Sequence, residues 1–281
     1  MTSVFEKVAA VYSCKGVSGV FRSAGRNTKI YLHDNITQHQ RLVGEYHSLA
    51  HQYSPERFSD ADPYKLLWVD PDDISLITGE VQTTSPGEYH LERLDSFDHI
   101  NIGTPNVNGG EWDQTSDRFC DLLVYKAIKT VCENNINWMD TKLFRKHRER
   151  IQRGYRSYGC YSMDELSDKA EELNTLIQSI RDSGYLSARK RGDHLLDEIR
   201  VNIGRDGNFL YNSEGRHRLS IAKVLRLNQI PVIVVMRHRQ WQQLRNELKK
   251  SDGKINMDIP EQKWMDHPDL GNILSDNDSV E

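Results

Sequence analysis

The sequence predicts an α/β (α+β) fold in which helices outnumber strands. Two observations carry that prediction. Segments 116–133, 140–154 and 162–183 repeat apolar residues at helical spacing. After them, Ile199 to Val235 reads strand, tight turn, strand, a Gly215-Arg216-His217-Arg218 turn, an apolar helix and the run Ile230-Pro231-Val232-Ile233-Val234-Val235.

Residues 1–35 give little pattern: Val8 to Tyr12 suits a short strand or helix, and Gly16, Gly19 and Gly25 break up the stretch beyond it. Thr37 is placed to cap a helix to about Tyr53, with Leu42, Tyr46 and Leu49 on one face. Tyr64 to Val69 is a strand stopped by Asp70-Pro71, because proline donates no ladder hydrogen bond. Ser75 to His99 is polar and irregular, with room for one hairpin, and Asn101 to Asp113 is loop-like. Helices are expected over Ser116–Glu133, from an Asp140 cap to about Gly154, and from a Ser162/Glu165 capping box to Ser183, closed by Gly184. Asp206-Gly207 is a hairpin turn between strands Ile199–Ile203 and Phe209–Tyr211. A helix over 215–226, a strand over 231–235 and a helix near 239–250 complete the pattern. From Ser251 the chain is a charged, Asn-rich tail, and Ser275 to Glu281 reads as disordered.

The 281 residues are 28% charged and 37% hydrophobic, which suffices for a sizeable core. A net charge of −4 argues against a surface coated in positive charge for nonspecific nucleic-acid binding, though a local basic patch remains compatible with it. No apolar run approaches the roughly 18 residues of a membrane helix. Met1 to Ala10 lack the basic-then-apolar order of a signal peptide, so a cytoplasmic protein without a membrane partner is expected. Cys14, Cys120, Cys132 and Cys160 form no Cys-x-x-Cys pair and sit beside no histidine at metal-ligand spacing. They read as reduced, structural thiols.

The turn at 215–218 is the sharpest chemical signal. Backbone N–H groups at a helix start lack intrahelical acceptors, and the helix dipole adds partial positive charge. Arg216, His217 and Arg218 add cations to that end, where they oppose the dipole unless an anion offsets them. Phosphate is the natural candidate. The alternative is a solvated helix start with local ion pairs.

From about residue 164 the chain resembles the ParB/sulfiredoxin-like superfamily. Three pieces carry the resemblance: the helix ending Leu176 to Tyr185, the run Asn212-Ser213-Glu214-Gly215-Arg216-His217-Arg218-Leu219-Ser220-Ile221-Ala222, and Leu225 to Val232. Trp68 to Ile74 looks like that fold's first strand and turn. The resemblance implies a small mixed sheet with helices over residues 63–250, elaborated by a mainly helical insertion at about 75–160. An N-terminal extension (1–62) and the polar C-terminal tail (251–281) flank it. Members include CTP-hydrolysing segregation proteins, sulfiredoxins, free-serine kinases and proteins labelled nucleases. The implied activity is nucleotide binding with phosphoryl transfer or hydrolysis, using Mg²⁺ and ATP, ADP or CTP, with a small-molecule acceptor. Arg216 stands where sulfiredoxins carry their catalytic cysteine and where the segregation branch carries Glu, so neither chemistry transfers directly.

In that reading Gly215, Arg216, His217 and Arg218 hold the phosphates, with Arg205 pointing toward them, and Trp112 stacks on a base or sugar. Glu214, His217 and Asp72 are the candidate catalytic groups, with Asp70 and Asp73 as positional alternatives to Asp72. Glu111 and Asp113 are the candidate metal ligands. Each has a plainer alternative: Glu214 as a cap or arginine partner, Trp112 as a buried loop anchor, Arg205-Asp206 as hairpin-turn residues. The basic run Arg145, Lys146, His147, Arg148, Arg150, Arg153 and Arg156, with Tyr155, Tyr158 and Tyr161 interleaved, is a solvated face or a polyanion patch. DNA binding and noncatalytic phospholigand sensing are the rival functions; no helix-turn-helix comes after Ile230-Pro231-Val232. The oligomeric state is not legible.

Overall fold

The computed structural model describes residues 40–78, 106–193, 197–212, 214–251, 264 and 266–274. The expectations for Val8–Tyr12, Gly16, Gly19, Gly25, the Thr37 cap, Ser213 and Ser275–Glu281 lie outside them, as does the side chain of Leu42.

The fold is α/β: a mixed sheet with helices packed on one face. Strands are β1 (Leu66–Val69), β2 (Leu76–Ile77), β3 (Val107–Asn108), β4 (Ile199–Ile203), β5 (Phe209–Tyr211) and β6 (Ile230–His238). Their order is β1-β6-β4-β5-β2, with β3 also on β6. β4 runs parallel to β6 and antiparallel to β5, β1 is antiparallel to β6, and β2 is parallel to β5. Pro231 fits this long strand because it pairs with Trp68 of β1, one residue before the β4 ladder starts at Ile199↔Val232.

Helices are α1 (Gln40–Tyr53), α2 (Leu123–Asn134), α3 (Lys142–Gln152), α4 (Met163–Ser183), α5 (Ala188–Arg191), α6 (Arg216–Val224), α7 (Arg239–Lys250) and α8 (Gly271–Leu274). α4 buries Leu166, Ala170, Leu173, Ile177 and Ile180, a single stripe at three- and four-residue spacing. That stripe joins Phe119, Ile128, Phe144, Leu219 and Ile221 against Ile199, Val201, Ile203 and Tyr211 in one core. The expected insertion thus shares the core of the rest of the chain. The sheet's other face carries a smaller cluster of Trp112, Leu210 and Met236.

Several boundaries differ from expectation for local reasons. The helix expected from 116 begins as a 3-10 turn, Phe119–Asp121, before α2. Asn137 caps a second such turn, Trp138–Asp140, and Thr141 caps α3 in place of Asp140, its hydroxyl accepting from the Phe144 N–H at 3.3 Å. The hairpin loop runs over residues 204–208, closed by Gly204 N–H to Asn208 O, so it is longer than a two-residue turn. α1 turns His47 inward and leaves Leu49 55% exposed, so its buried stripe is not the apolar one expected. Neither flanking segment is a mere appendage. Phe58 and Ser59 of the N-terminal stretch are buried, and Asp269 of the C-terminal stretch sits buried between Arg237 and Arg245. No helix among the described residues is long and apolar enough to cross a membrane.

A candidate anion site at the start of α6

Strand β4 and the turn before α6 are pressed together. Gly215 has φ 79° and ψ 16°, and a Cβ there would stand 2.6 Å from Ile199 Cγ1 and 2.9 Å from its Cα. Only glycine accepts both the left-handed backbone and that approach. Asn212, three residues earlier, is pinned by its side chain to Asn202 Oδ1 (3.0 Å), and Asn202 in turn donates to Thr78 Oγ1 (2.9 Å). A buried polar chain linking β4 to the ends of β2 and β5 therefore fixes the approach to the turn.

The start of α6 has no side-chain cap, since its N-cap is Gly215, and no acidic residue in its first turn. Arg216 acts electrostatically on His147, Tyr158 and Tyr211, and Arg218 on Tyr185, Glu198 and Tyr211. Arg218 donates to the Asp197 carbonyl, and among the described residues no carboxylate lies at ion-pair distance from it. Glu214 is exposed beside the turn, and its carbonyl accepts from Arg200 N–H at 3.3 Å.

His217 is not a third cation. Burial, then Arg216, Lys169 and Arg218, push its imidazole down to about 3, so it is neutral at pH 7. Its Nε2 is hydrogen-bonded to the Tyr158 hydroxyl. The Tyr158 ring stacks on His147 with centroids 4.5 Å apart and planes 6° apart. His147 is itself pushed down to about 4 by burial and by Arg150, Arg216 and Lys146, and its Nδ1 meets Ser157 Oγ at 2.9 Å. A neutral His217 cannot deliver a proton as an imidazolium, which narrows its expected role to orienting.

Other predicted site residues lie elsewhere. Asp72 is exposed and pairs with Lys223 Nζ at 3.4 Å. Lys223 is seven residues beyond Arg216, roughly 10 Å along the helix axis. Asp70 and Asp73 share that far end, where both act electrostatically with Lys223. Arg205 turns away to a third location. Its guanidinium donates to both Asp113 oxygens (2.8 and 2.9 Å), to Glu111 Oε2 (3.2 Å) and to Gly110 O (2.8 Å). Burial opposes the Asp113 charge, but the Arg205 bonds hold the carboxyl below its usual range. Trp112 is 2% exposed, packed against Leu210 and Met236 and tilted over His238, with no open face for a base.

The loop 110–113 and the β4–β5 hairpin thus satisfy each other. Glu111 and Asp113 do not fit a Mg²⁺ site, because a guanidinium already fills the space between them. Among the described residues no three His, Cys, Asp or Glu side chains converge as a metal requires. Cys120, Cys132 and Cys160 are free thiols, and Cys14 lies outside the described residues.

Sequence reasoning missed two residues at this site. Tyr158 is visible in the sequence only as one aromatic within the basic run, although Tyr158-Gly159 is a turn-like dipeptide. Glu198 stands there only as the residue before a strand. It is 1% exposed, accepts from Tyr185 O–H (3.1 Å) and Ala188 N–H, and is pushed up by burial despite those bonds. It holds the segment under Arg218 in place. In the basic run, Arg145, Arg153 and Arg156 are exposed while His147 is buried, so the run divides between surface and core.

No protein-family model, no curated protein and no solved structure matches this chain.

Proposed function

We propose that this protein binds the phosphate groups of a nucleotide at the Gly215–Arg218 turn, and that Glu214 supports phosphoryl transfer or hydrolysis there. One observation carries the reading: Arg216 and Arg218 stand at the uncapped, acid-free start of α6, with no carboxylate among the described residues at ion-pair distance from Arg218. A cation such as Arg218 at the positive end of a helix dipole is unfavourable without an anion and becomes favourable around one. The order α4, β4, β5, Gly-x-x-Arg turn, β6 supports a ParB/sulfiredoxin-like assignment, whose members hold nucleotide phosphates at that turn. The reading takes the protein to work in the cytoplasm, where nucleoside triphosphates are abundant.

In this proposal Arg216 and Arg218 grip phosphate oxygens with charge-assisted hydrogen bonds. Neutral His217 donates a hydrogen bond without adding charge. Glu214, exposed and directly before Gly215, is the carboxylate assigned as base toward an acceptor hydroxyl or water. Asp72, Glu111 and Asp113 take no part.

The test is ligand-induced thermal stabilisation with ATP, ADP, CTP and GTP, each with and without Mg²⁺. A ligand at 100 times its Kd adds about 2.7 kcal/mol to a protein that it binds only when folded. Wild type should gain several degrees in Tm with at least one nucleotide, and Arg218→Ala should gain none. Glu214→Gln should keep that shift and release no phosphate. Equal shifts in wild type and Arg218→Ala would overturn the site, and full turnover by Glu214→Gln would overturn the role of Glu214.

A further inference from the structure

Tyr158 occupies a conformation that costs free energy. Ser157 and Cys160 exchange both backbone hydrogen bonds (2.9 and 3.0 Å), making a two-residue hairpin whose tip is Tyr158-Gly159. The tip residues have φ 59° and 83°, the pattern of a turn that favours Asn-Gly. An aromatic residue at that first position is strained by roughly 1–3 kcal/mol. Such strain persists only when the surroundings hold it, and here they do. The ring stacks on His147, meets Phe144 edge-on at 5.9 Å and reaches the His217 Nε2 through its hydroxyl.

The direction of that hydrogen bond follows from the donor inventory. Among the described residues, the Tyr158 hydroxyl has His217 as its sole side-chain or backbone partner. Were it to accept from an Nε2–H, its own proton would be left without an acceptor in a largely buried site, at a cost of about 1–3 kcal/mol. A phenol O–H donating to Nε2 avoids that cost. The imidazole proton then sits on Nδ1. That atom makes no hydrogen bond among the described residues. His217 is the second residue of α6, next to the uncapped Gly215 start.

We infer that Tyr158 is a positioning residue for the anion site: its hydroxyl locks His217 in the Nδ1–H form, presenting an N–H donor between Arg216 and Arg218. The opposite tautomer would turn a lone pair toward a phosphate oxygen and repel it. This inference rests on the reading that phosphate binds at the turn, and it adds an element that carries no charge itself. The charged groups around His217 are Arg216 and Arg218 on its own helix and Lys169 on α4, with Tyr158 and, beyond it, His147 on the remaining side. All three charged neighbours are cations, which favours a neutral ring as the working form.

The test combines side-chain ¹⁵N spectroscopy of His217 with ATP and pyrophosphate titrations of wild type, Tyr158→Phe and Arg218→Ala. In unliganded wild type, His217 should be neutral at pH 7 with its proton on Nδ1. An Nε2–H tautomer there overturns the inference without any variant. Tyr158→Phe keeps the ring stack, should shift His217 toward Nε2–H, and should weaken ATP and pyrophosphate about tenfold, the scale of one lost hydrogen bond. If Arg218→Ala abolishes binding while Tyr158→Phe binds like wild type, the inference falls and the phosphate reading stands. If wild type binds neither ligand, the phosphate reading falls and takes the inference with it. A Tyr158→Phe loss of affinity with an unchanged tautomer marks a merely structural residue and also overturns it. His217→Asn provides a check independent of the hydroxyl, because its amide offers a donor near the Nδ1 position. In that background Tyr158→Phe should cause no further loss, and a second tenfold loss counts against the inference.

Discussion

At the scale of single residues, the turn at 215–218 is held by steric and solvation constraints that can be tested one at a time. Gly215→Ala would put a methyl group 2.6 Å from Ile199 Cγ1 while keeping a left-handed φ of 79°. A loss of at least about 2 kcal/mol is expected, because strain and overlap add and the overlap includes backbone. Urea denaturation of the variant measures it, and a change under about 0.5 kcal/mol, the size of an ordinary surface substitution, would mean that the turn moves freely off β4. His147 and His217 set a pH dependence. Their native imidazoles lie at about 4 and about 3, below the value of about 6.5 in an unfolded chain. The unfolded chain therefore takes up protons that the native state refuses. Stability from this source is complete above about pH 6.5 and is lost as pH falls toward the native values, by at most about 1.4 kcal/mol per pH unit for each ring. Urea midpoints at pH 7 and pH 5 should differ accordingly, and His147→Gln should reduce the difference. Asp72→Asn provides a contrast: it breaks only the exposed contact to Lys223 and should leave nucleotide-induced stabilisation unchanged.

At the scale of elements, local signals in the sequence are strong where they depend on neighbours along the chain. Ser162 and Glu165 form the capping box that their spacing announces, with Ser162 Oγ accepting from Glu165 N–H at 3.1 Å. Ser162→Ala should cost about 1 kcal/mol, measured by thermal or chemical unfolding, because the first turn of α4 loses an acceptor. The run from α4 to β6 is legible for the same reason: helical stripes, β-branched runs and a Gly-containing turn alternate there. The failures are equally physical. Asp140 and Thr141 are both good caps, and which one serves is decided by the 3-10 turn that Asn137 starts, a choice made three residues upstream. In the loop at 204–208, Gly207, at φ 80°, lies against the Trp241 ring of a helix more than thirty residues later. Nothing within the hairpin itself encodes that contact.

Across the whole molecule, the residues of the proposed anion site are legible because they are adjacent in the chain, and residues that meet only through packing are not. Arg205, Glu111 and Asp113 carry the right chemistry for a phosphate or metal site, yet tertiary packing turns them on one another. Tyr158 reaches His217 across 59 positions, a pairing no motif announces. The C-terminal stretch shows the same principle with larger consequences. It reads as a polar tail by composition, but Asp269 is 1% exposed and receives Arg237 at 2.6 and 3.0 Å, Arg245 at 3.1 Å and Trp241 Nε1 at 2.9 Å. Arg245 also reaches Asp60 at 3.4 Å, so one guanidinium joins the N-terminal and C-terminal stretches to the end of the sheet. Burial alone would raise the Asp269 carboxyl, but Arg237 and Arg245 outweigh it and hold the group well below the ordinary carboxylate range. Asp269→Ala should therefore cost roughly 3–5 kcal/mol, since two buried guanidinium groups lose their counter-ion. Asp269→Asn keeps an acceptor and removes only the charge. Because the native carboxyl titrates below the unfolded value of about 3.9, its stabilising effect is present above that pH and disappears as pH falls through the native value. The gap between wild type and Asp269→Asn should be wide at pH 7 and should narrow below about pH 4. Urea midpoints of both proteins at pH 7 and pH 3 decide the matter, and a gap that stays constant would show that the carboxylate contributes shape rather than charge to the junction.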